Sequence, residues 1–188
     1  MVPPNMLVPA NEPGAILPVY RGTAIEQLLH YHNLGAPLPA TTGRARLLIS
    51  MCMDHRKDLL LPNEFAYVLR SAGGSLRDSE FAVSYAIAVG GVATIALLAH
   101  TDCAMVDVTK DRSAFVRGLV ERAGWVSDAA AAHFDRYASE YQIGDALRFV
   151  CGEAVRLRRL YPAVLVAPLL YEVETDRLAQ IDEPSQPS

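Results

Sequence analysis

This sequence has few cysteines and no cluster of basic residues, which argues against a disulfide-rich secreted domain and against a nucleic-acid-binding protein. The 188 residues include three cysteines, an odd number that does not suit the disulfide framework of a small secreted domain. Lysine and arginine total 17 against 21 acidic residues, which gives a formal net charge of −4. The basic residues are scattered, so the sequence lacks the positive stripe that nucleic-acid-binding proteins present to phosphates. We therefore expect a protein of the reducing cytoplasm that does not bind nucleic acid.

The sequence also lacks the patterns of a signal peptide and of a membrane span. Residues 1–18 have no basic start and contain five prolines, which argues against a secretory signal. Residues 81–99 form the one stretch apolar enough to be considered, since about 20 apolar residues cross a bilayer. Gly90 and Gly91 divide it into an alanine-rich half and a β-branched half. We interpret it as a helix followed by a buried strand, with no membrane association.

The rest of the sequence alternates between helical patterns and short apolar runs, and 51% of the residues are hydrophobic. Strands are predicted at 47–51, 65–69 and 92–98, with one or two more between 163 and 173. Helices are predicted at 23–33, from 75 or 78 to 89, and at 113–123, 128–141 and 143–159. This alternation predicts one α/β domain with a mainly parallel central β-sheet flanked by helices.

The predicted domain has a segment of different composition at each end. Residues 1–22 form a proline-rich N-terminal arm, and the domain itself covers 23–181. Residues 182–188 are polar and rich in proline and serine, so we expect a disordered tail. The apolar arm has little reason to fold alone, and we expect it to wrap around a neighbouring subunit.

Three potential metal ligands follow predicted strands. Cys52 comes after the first strand, His100 after the strand at 92–98, and Cys103 three residues later. Because parallel strands end at the same edge of a sheet, we expect these side chains to converge. Two thiolates and an imidazole suit zinc, and three protein ligands leave a fourth position open for catalysis. Two buried cysteines and a hydrogen-bonded histidine are the alternative interpretation of these three residues.

Two charged residues extend this pattern. Asp54 and Arg56 follow Cys52 at spacings of two and four, in the run Cys-Met-Asp-His-Arg. Together with the later run His-Thr-Asp-Cys, which ends at Cys103, this resembles the β-class carbonic anhydrases. The signature of that family is Cys-x-Asp-x-Arg followed downstream by His-x-x-Cys. The resemblance is good over residues 47–105, and residues 170–173 resemble the last strand of the family.

This resemblance implies a β-carbonic-anhydrase-like fold and a zinc lyase with one Zn²⁺ per chain. It implies that Cys52, His100 and Cys103 bind the metal, and that Asp54 and Arg56 form a catalytic dyad beside the metal-bound water. The expected reaction is reversible hydration of carbon dioxide to bicarbonate by a metal-bound hydroxide, in a homodimer or larger homo-oligomer. In such a site the aspartate can orient the water while the arginine keeps the aspartate ionised. Two alternatives stay open: Asp54 as a fourth ligand that closes the site, and an ordinary surface ion pair.

The resemblance also implies a substrate pocket, in which the sequence departs from the family twice. The expected pocket residues are Ser71, Ala72, Gly73, Gly74 and Ala104. The family commonly has asparagine where Ser71 stands and glycine where Ala104 stands. Because related proteins of this scaffold hydrolyse carbonyl sulfide or carbon disulfide, those substrates are an alternative to carbon dioxide. A zinc-stabilised binding protein without catalytic activity is a third possibility.

The remaining polar candidates have more ordinary interpretations. Asp102 could cap the loop between the two later ligands or assist proton transfer, and loop capping is favoured. His30, His32 and His55 could carry protons, although most exposed histidines have no such role. Cys151 lies in a helical pattern and is interpreted as a structural thiol.

Overall fold

The computed structural model describes residues 6–37, 43–56 and 59–183. The strands in these ranges are β1 (Leu7–Pro9), β2 (Leu47–Cys52), β3 (Ala66–Ser71), β4 (Thr94–His100), β5 (Leu165–Glu172) and β6 (Arg177–Ile181). The α-helices are α1 (Ala24–Leu34), α2 (Glu80–Ala88), α3 (Arg112–Ala123), α4 (Ser127–Tyr141) and α5 (Ala146–Leu160). Short 3₁₀ helices include Ala72–Gly74 and Ala104–Asp111.

The strands form one six-stranded sheet in the order β1-β6-β5-β4-β2-β3. Neighbouring strands from β3 to β5 pair in parallel, whereas β6 runs antiparallel to both β5 and β1. Every residue of β2 and β4 is buried, as expected for central strands covered on both faces. The predicted fold class, an α/β domain with a mainly parallel sheet, is confirmed.

Alternating side chains of the central strands contribute to separate cores on the two faces of the sheet. Leu47 and Ile49 of β2 pack with α1 and the N-terminal arm, whereas Leu48 packs with α2 and α5. The predicted ends of α1 are present: the Thr23 side chain accepts a hydrogen bond from the Ile25 backbone N–H, and Gly35 is left-handed. These two layers fix the strands whose ends carry the candidate ligands.

The apolar stretch at 81–99 is divided between α2 and β4, as predicted from Gly90 and Gly91. The helix begins at Glu80, later than expected, because Arg77–Ser79 forms a 3₁₀ turn and the Ser75 hydroxyl accepts the Arg77 backbone N–H. Among the described residues, no helix has the length and apolar character needed to cross a membrane.

The N-terminal arm differs from expectation in its described part, residues 6–22. Strand β1 pairs with β6, and Ala10, Ile16 and Tyr20 are buried in the core of their own chain. The described part of the arm therefore packs on its own chain, and wrapping of the arm around a neighbouring subunit stays a prediction. Gln180 of β6 explains part of this docking, because its side-chain amide accepts from the Leu17 N–H and donates to the Ala15 carbonyl.

The C-terminal end of the domain also extends beyond the predicted strands. Strand β6 lies after the predicted range of 163–173, and its pairing partner β1 is distant in sequence. Of the residues assigned to the tail, Asp182 donates its N–H to the Met6 carbonyl and Glu183 forms an ion pair with Arg158. The remaining tail residues, 184–188, and arm residues 1–5 lie outside the described residues.

A buried asparagine joins the arm, α1 and β6, and we expect its removal to destabilise the fold. The Asn33 side-chain amide donates to the Ala10 and Leu178 carbonyls, and its oxygen accepts the Leu178 N–H. Asn33→Ala should lower the free energy of unfolding by about 2–4 kcal/mol, because buried backbone groups lose their partners. Urea denaturation measures this change. Asn11→Ala, at an exposed position, is the control; equal stability of both variants would contradict the prediction.

Candidate metal site

The three predicted ligands come together at the carboxyl ends of two adjacent parallel strands. Cys52 is the last residue of β2, His100 is the last of β4, and Cys103 follows in the next turn. One ligand atom from each residue lies within 4.8 Å of the other two, and all three residues are buried. The convergence expected from the sequence is therefore present.

The donor atoms of this cluster fit a zinc ion. His100 Nδ1 lies 2.8 Å from the Thr101 carbonyl oxygen, which is consistent with a proton on Nδ1. That tautomer leaves a lone pair on Nε2, a buried atom that has no hydrogen-bond partner among the described residues. Two sulfur atoms and one imidazole nitrogen, with a backbone carbonyl fixing the ring, form a ligand set typical of zinc.

The electrostatics around Cys52 favour the thiolate, which is the metal-binding form of cysteine. Hydrogen bonding from the Cys103 side chain lowers the pKa of Cys52 well below its usual range, although burial raises it. The backbone N–H groups of Asp54 and Gly73 lower this pKa further. The site is thus already arranged to stabilise negative charge on sulfur.

Asp54 and Arg56 form the predicted pair next to the ligands. Arg56 Nη2 lies 2.7 Å from Asp54 Oδ2, and Nε donates to both oxygens of the same carboxylate. The Asp54 side chain is 12% exposed, and its Oδ2 lies 4.0 Å from His100 Nε2. This position does not match an ordinary surface ion pair. It places an arginine-bound carboxylate at the edge of the ligand cluster.

Arg70 and Ser50 make further hydrogen bonds to the backbone around the candidate site, and this role was not predicted from the sequence. Arg70 Nη1 lies 3.3 Å from the Asp54 carbonyl oxygen and 3.5 Å from that of Cys52. The Ser50 hydroxyl donates to the Gly74 carbonyl at 2.8 Å. In the sequence, Arg70 stands between a predicted strand and the glycine turn. This position was the available signal that Arg70 supports the backbone at the candidate site.

The glycine turn after β3 packs directly on the ligand-bearing strand. Gly73 and Gly74 are buried with φ values of 66° and 76°, a region that favours glycine. A Cβ atom on Gly74 would lie 3.4 Å from the Cys52 backbone nitrogen. Ser71 uses its hydroxyl within the turn, where it donates to the Ser75 carbonyl at 2.7 Å. These residues allow close packing beneath the candidate site.

An apolar cavity of about 550 Å³ adjoins the loops that carry the site. Its wall includes Ala72 from the glycine turn and Met105, two residues after Cys103. The other side is formed by α3 and α4, with Phe115 and Phe134 among the lining residues. Of the five expected pocket residues, Ala72 alone lines this cavity within the described part of the chain.

The other candidate histidines and Cys151 do not join the cluster. His32 is buried, and its Nδ1 accepts the Leu60 N–H, so it is not an exposed proton carrier. Burial lowers the pKa of His32. His55 is exposed in the turn that contains the Asp54–Arg56 pair. Cys151 is half-buried on α5, and burial raises its pKa to about 11.

Solved structures with the same architecture come from carbonic anhydrases and a related hydrolase. The β-carbonic anhydrase isoform I of Trichomonas vaginalis is 17% identical, with a TM-score of 0.61 over 89% of this chain and 99% of that chain. The chain has the β-carbonic anhydrase fold. The carbonic anhydrase of Streptococcus mutans is 22% identical, with a TM-score of 0.58 over 88% and 99%.

A carbon disulfide hydrolase is 20% identical, with a TM-score of 0.54 over 87% of this chain and 92% of that chain. Neither the family models nor the curated proteins include a match to this sequence. The β-carbonic anhydrase fold expected from the motif is therefore confirmed by structural similarity, and the activity is argued from the site itself.

Removal of a cysteine ligand should abolish metal binding. We expect about one zinc per purified chain and a loss of most of it in Cys52→Ser, because a hydroxyl is a poor replacement for a thiolate ligand. Elemental analysis by mass spectrometry measures the stoichiometry. Cys151→Ser should keep its zinc, since Cys151 lies outside the cluster; equal zinc content in the two variants would contradict the proposed ligand set.

Proposed function

We propose that this protein binds one Zn²⁺ through Cys52, His100 and Cys103 and reversibly hydrates carbon dioxide to bicarbonate. One observation carries the proposal: the three buried ligand atoms converge with an arginine-bound carboxylate at their edge. The β-carbonic anhydrase fold supports it, because that fold places both strand ends at one edge of the sheet. A merely structural zinc would have no need for the Asp54–Arg56 pair.

Zinc bound at this position would act as a Lewis acid and lower the pKa of a water molecule toward neutrality. The chain supplies what orients that water. Asp54 Oδ2, 4.0 Å from His100 Nε2, can accept a hydrogen bond from a water next to the ligands. Accepting that bond directs an oxygen lone pair toward the electrophilic carbon of the substrate. Addition of water to carbon dioxide gives bicarbonate and one proton, which must leave the site.

Arg56 holds Asp54 in its ionised form throughout this step. The guanidinium donates to both carboxylate oxygens, and a positive charge at this distance favours the ionised acid. The same bonds restrict rotation of the carboxylate. Asp54 therefore remains available as a hydrogen-bond acceptor, and the strong ion pair opposes its movement into the fourth ligand position.

The apolar cavity suits a neutral, linear substrate. Its wall includes Ala72 of the glycine turn and Met105, two residues after Cys103, and its lining is predominantly apolar. The proposed ligands and the Asp54–Arg56 pair lie beside this cavity and do not line it. Carbonyl sulfide and carbon disulfide are also linear molecules with an electrophilic carbon, and hydrolysis of either one releases hydrogen sulfide. A hydrolase of these substrates is the second candidate function, favoured by Ala104 and Ser71 at positions where carbonic anhydrases commonly have other residues.

We also propose that the protein forms a homo-oligomer. The proposed interface consists of exposed apolar side chains on α2 and on β3, the outermost strand on that side of the sheet. Phe81, Tyr85 and Val89 follow one another at four-residue spacing on and beside α2, with Phe81 83% exposed. Tyr67 is exposed on the edge strand β3, on the face of the sheet that α2 covers. Exposed apolar side chains beside an edge strand are typical of an interface. The cytoplasmic location stays a prediction from composition.

Replacing the carboxylate should abolish catalysis while leaving the metal. In a stopped-flow indicator assay of carbon dioxide hydration, Asp54→Ala should reduce kcat by about 10²- to 10⁴-fold, because the water loses its hydrogen-bond acceptor. Zinc content should stay at the wild-type value. Asp128→Asn, an exposed acid at the start of α4, should have wild-type activity. A fully active Asp54→Ala variant would contradict the role of Asp54.

Sulfide release separates the candidate functions. We expect zinc-loaded protein to hydrate carbon dioxide rapidly and to release little sulfide from carbonyl sulfide or carbon disulfide, as measured with a colorimetric sulfide assay. Sulfide release without hydration would establish the hydrolase instead. Zinc-loaded protein that turns over none of the three substrates would contradict both catalytic functions and favour a zinc-stabilised binding protein.

The oligomer can be tested at its proposed interface. Light scattering should give at least twice the 20.4 kDa mass of one chain for the wild-type protein. Phe81→Glu should shift the protein toward the monomer, because it places a charge on an apolar contact. Val126→Glu, at another exposed apolar position, should leave the mass unchanged. A monomeric wild-type protein would contradict the interface.

A further inference from the structure

Arg56 is bound by acidic residues from two different loops. Its Nε and Nη2 donate to Asp54, whereas Nη1 donates to Asp102 Oδ2 at 2.5 Å. Nη2 also donates to the Asp102 backbone carbonyl at 2.8 Å. Asp102 lies between His100 and Cys103, and Arg56 follows Cys52. One guanidinium therefore connects the two loops that carry all three proposed ligands.

The backbone at Asp102 makes this connection possible. Asp102 has a φ of 54°, in the left-handed region that residues other than glycine rarely adopt, although aspartate and asparagine adopt it more often. In this conformation its carboxylate and its carbonyl oxygen both contact the same arginine. The sequence favoured loop capping for Asp102, but the carboxylate contacts the arginine of the other loop.

The contacts of the guanidinium fix its orientation from two sides. The group is planar, and its donors point in fixed directions. Nη1 donates to the Asp102 carboxylate, so the edge of the guanidinium formed by Nε and Nη2 faces Asp54. The Asp54 side chain is 12% exposed and that of Asp102 is 80% exposed, so Asp102 holds the arginine from the solvent side.

We propose that Asp102 is a positioning residue that holds Arg56 so that Arg56 orients Asp54 at the candidate site. The inference rests on the proposed function for its kinetic consequence, whereas the contact itself does not depend on that function. Exposed ion pairs contribute little to folding. Loss of the Asp102 carboxylate should therefore affect the orientation of Arg56 much more than the stability of the domain.

Asp102→Gly is the most informative variant. Glycine adopts a positive φ readily, so the loop and the backbone carbonyl contact are kept while the carboxylate is removed. Asp102→Asn tolerates the same backbone conformation and retains a neutral acceptor, so it should restore part of the function. Asp128→Asn is the matched control, because Asp128 is an exposed acid at the start of α4 that does not contact the guanidinium of Arg56.

The orientation of Arg56 can be followed without an activity assay. In ¹⁵N NMR spectra of the zinc-loaded protein, the Arg56 Nε–H signal is assigned by its loss in Arg56→Lys. Its exchange with solvent should be slow in the wild type and at least about tenfold faster in Asp102→Gly, because a charge-assisted bond that fixes the side chain is lost. Asp102→Asn should be intermediate, and Asp128→Asn should match the wild type.

The kinetic measurement tests the consequence for Asp54. In carbon dioxide hydration, Asp102→Gly should lower kcat at least about tenfold with little change in KM, and Asp102→Asn should recover part of kcat. Urea midpoints and zinc content should match the wild type in both variants, which separates positioning from folding.

Wild-type Nε–H exchange in Asp102→Gly would overturn the proposal, as would wild-type kcat in that variant of an active enzyme. The wild-type protein could be inactive while the Arg56 Nε–H still exchanges faster in Asp102→Gly than in the wild type. That result would refute the proposed function but support the contact between Asp102 and Arg56. The two failures are therefore distinguishable.

Discussion

Parallel pairing between β2 and β4 is the constraint on which the candidate site depends. Because Met51 is in register with Leu98, both strands reach the same edge of the sheet, where Cys52 and His100 end them. The turn that follows β4 returns Cys103 to the same place. A shift of one residue in either strand would turn a ligand to the opposite face of the sheet. The metal site is therefore a consequence of strand register, which the two apolar cores hold in place.

Charge at this edge is arranged in layers around the ligands. The Cys52 sulfur is buried and favours negative charge, Asp54 lies at the edge of the ligand cluster, and Arg56 lies outside Asp54. Asp102 completes the arrangement from the solvent side, and its own pKa is lowered by hydrogen bonding to Arg56. Alternating negative and positive groups stabilise each other more than isolated pairs do. Such an arrangement favours negative charge on the Asp54 carboxylate beside the candidate metal site.

Local patterns in the sequence predicted the central strands and the convergence of the three candidate ligands. Strands β2 and β4 are short continuous apolar runs, and the ligand spacing follows directly from where they end. The pairing of β1 with β6 could not be predicted in this way, because it joins the backbones of residues about 170 positions apart. Asparagine and glutamine are usually expected at the surface, yet Asn33 and Gln180 are both buried and hydrogen-bonded. The partner of Asp102 was missed for the same reason, since Arg56 lies 46 residues away.

Zinc-edge X-ray absorption of the purified protein tests the central claim most directly, because it reports the atoms bound to the metal. Binding by Cys52, His100 and Cys103 predicts two sulfur ligands at about 2.3 Å and one imidazole nitrogen at about 2.0–2.1 Å, with a further nitrogen or oxygen ligand. A single sulfur, four sulfurs, or a shell of nitrogen and oxygen alone would show that Cys52, His100 and Cys103 do not form the site described above.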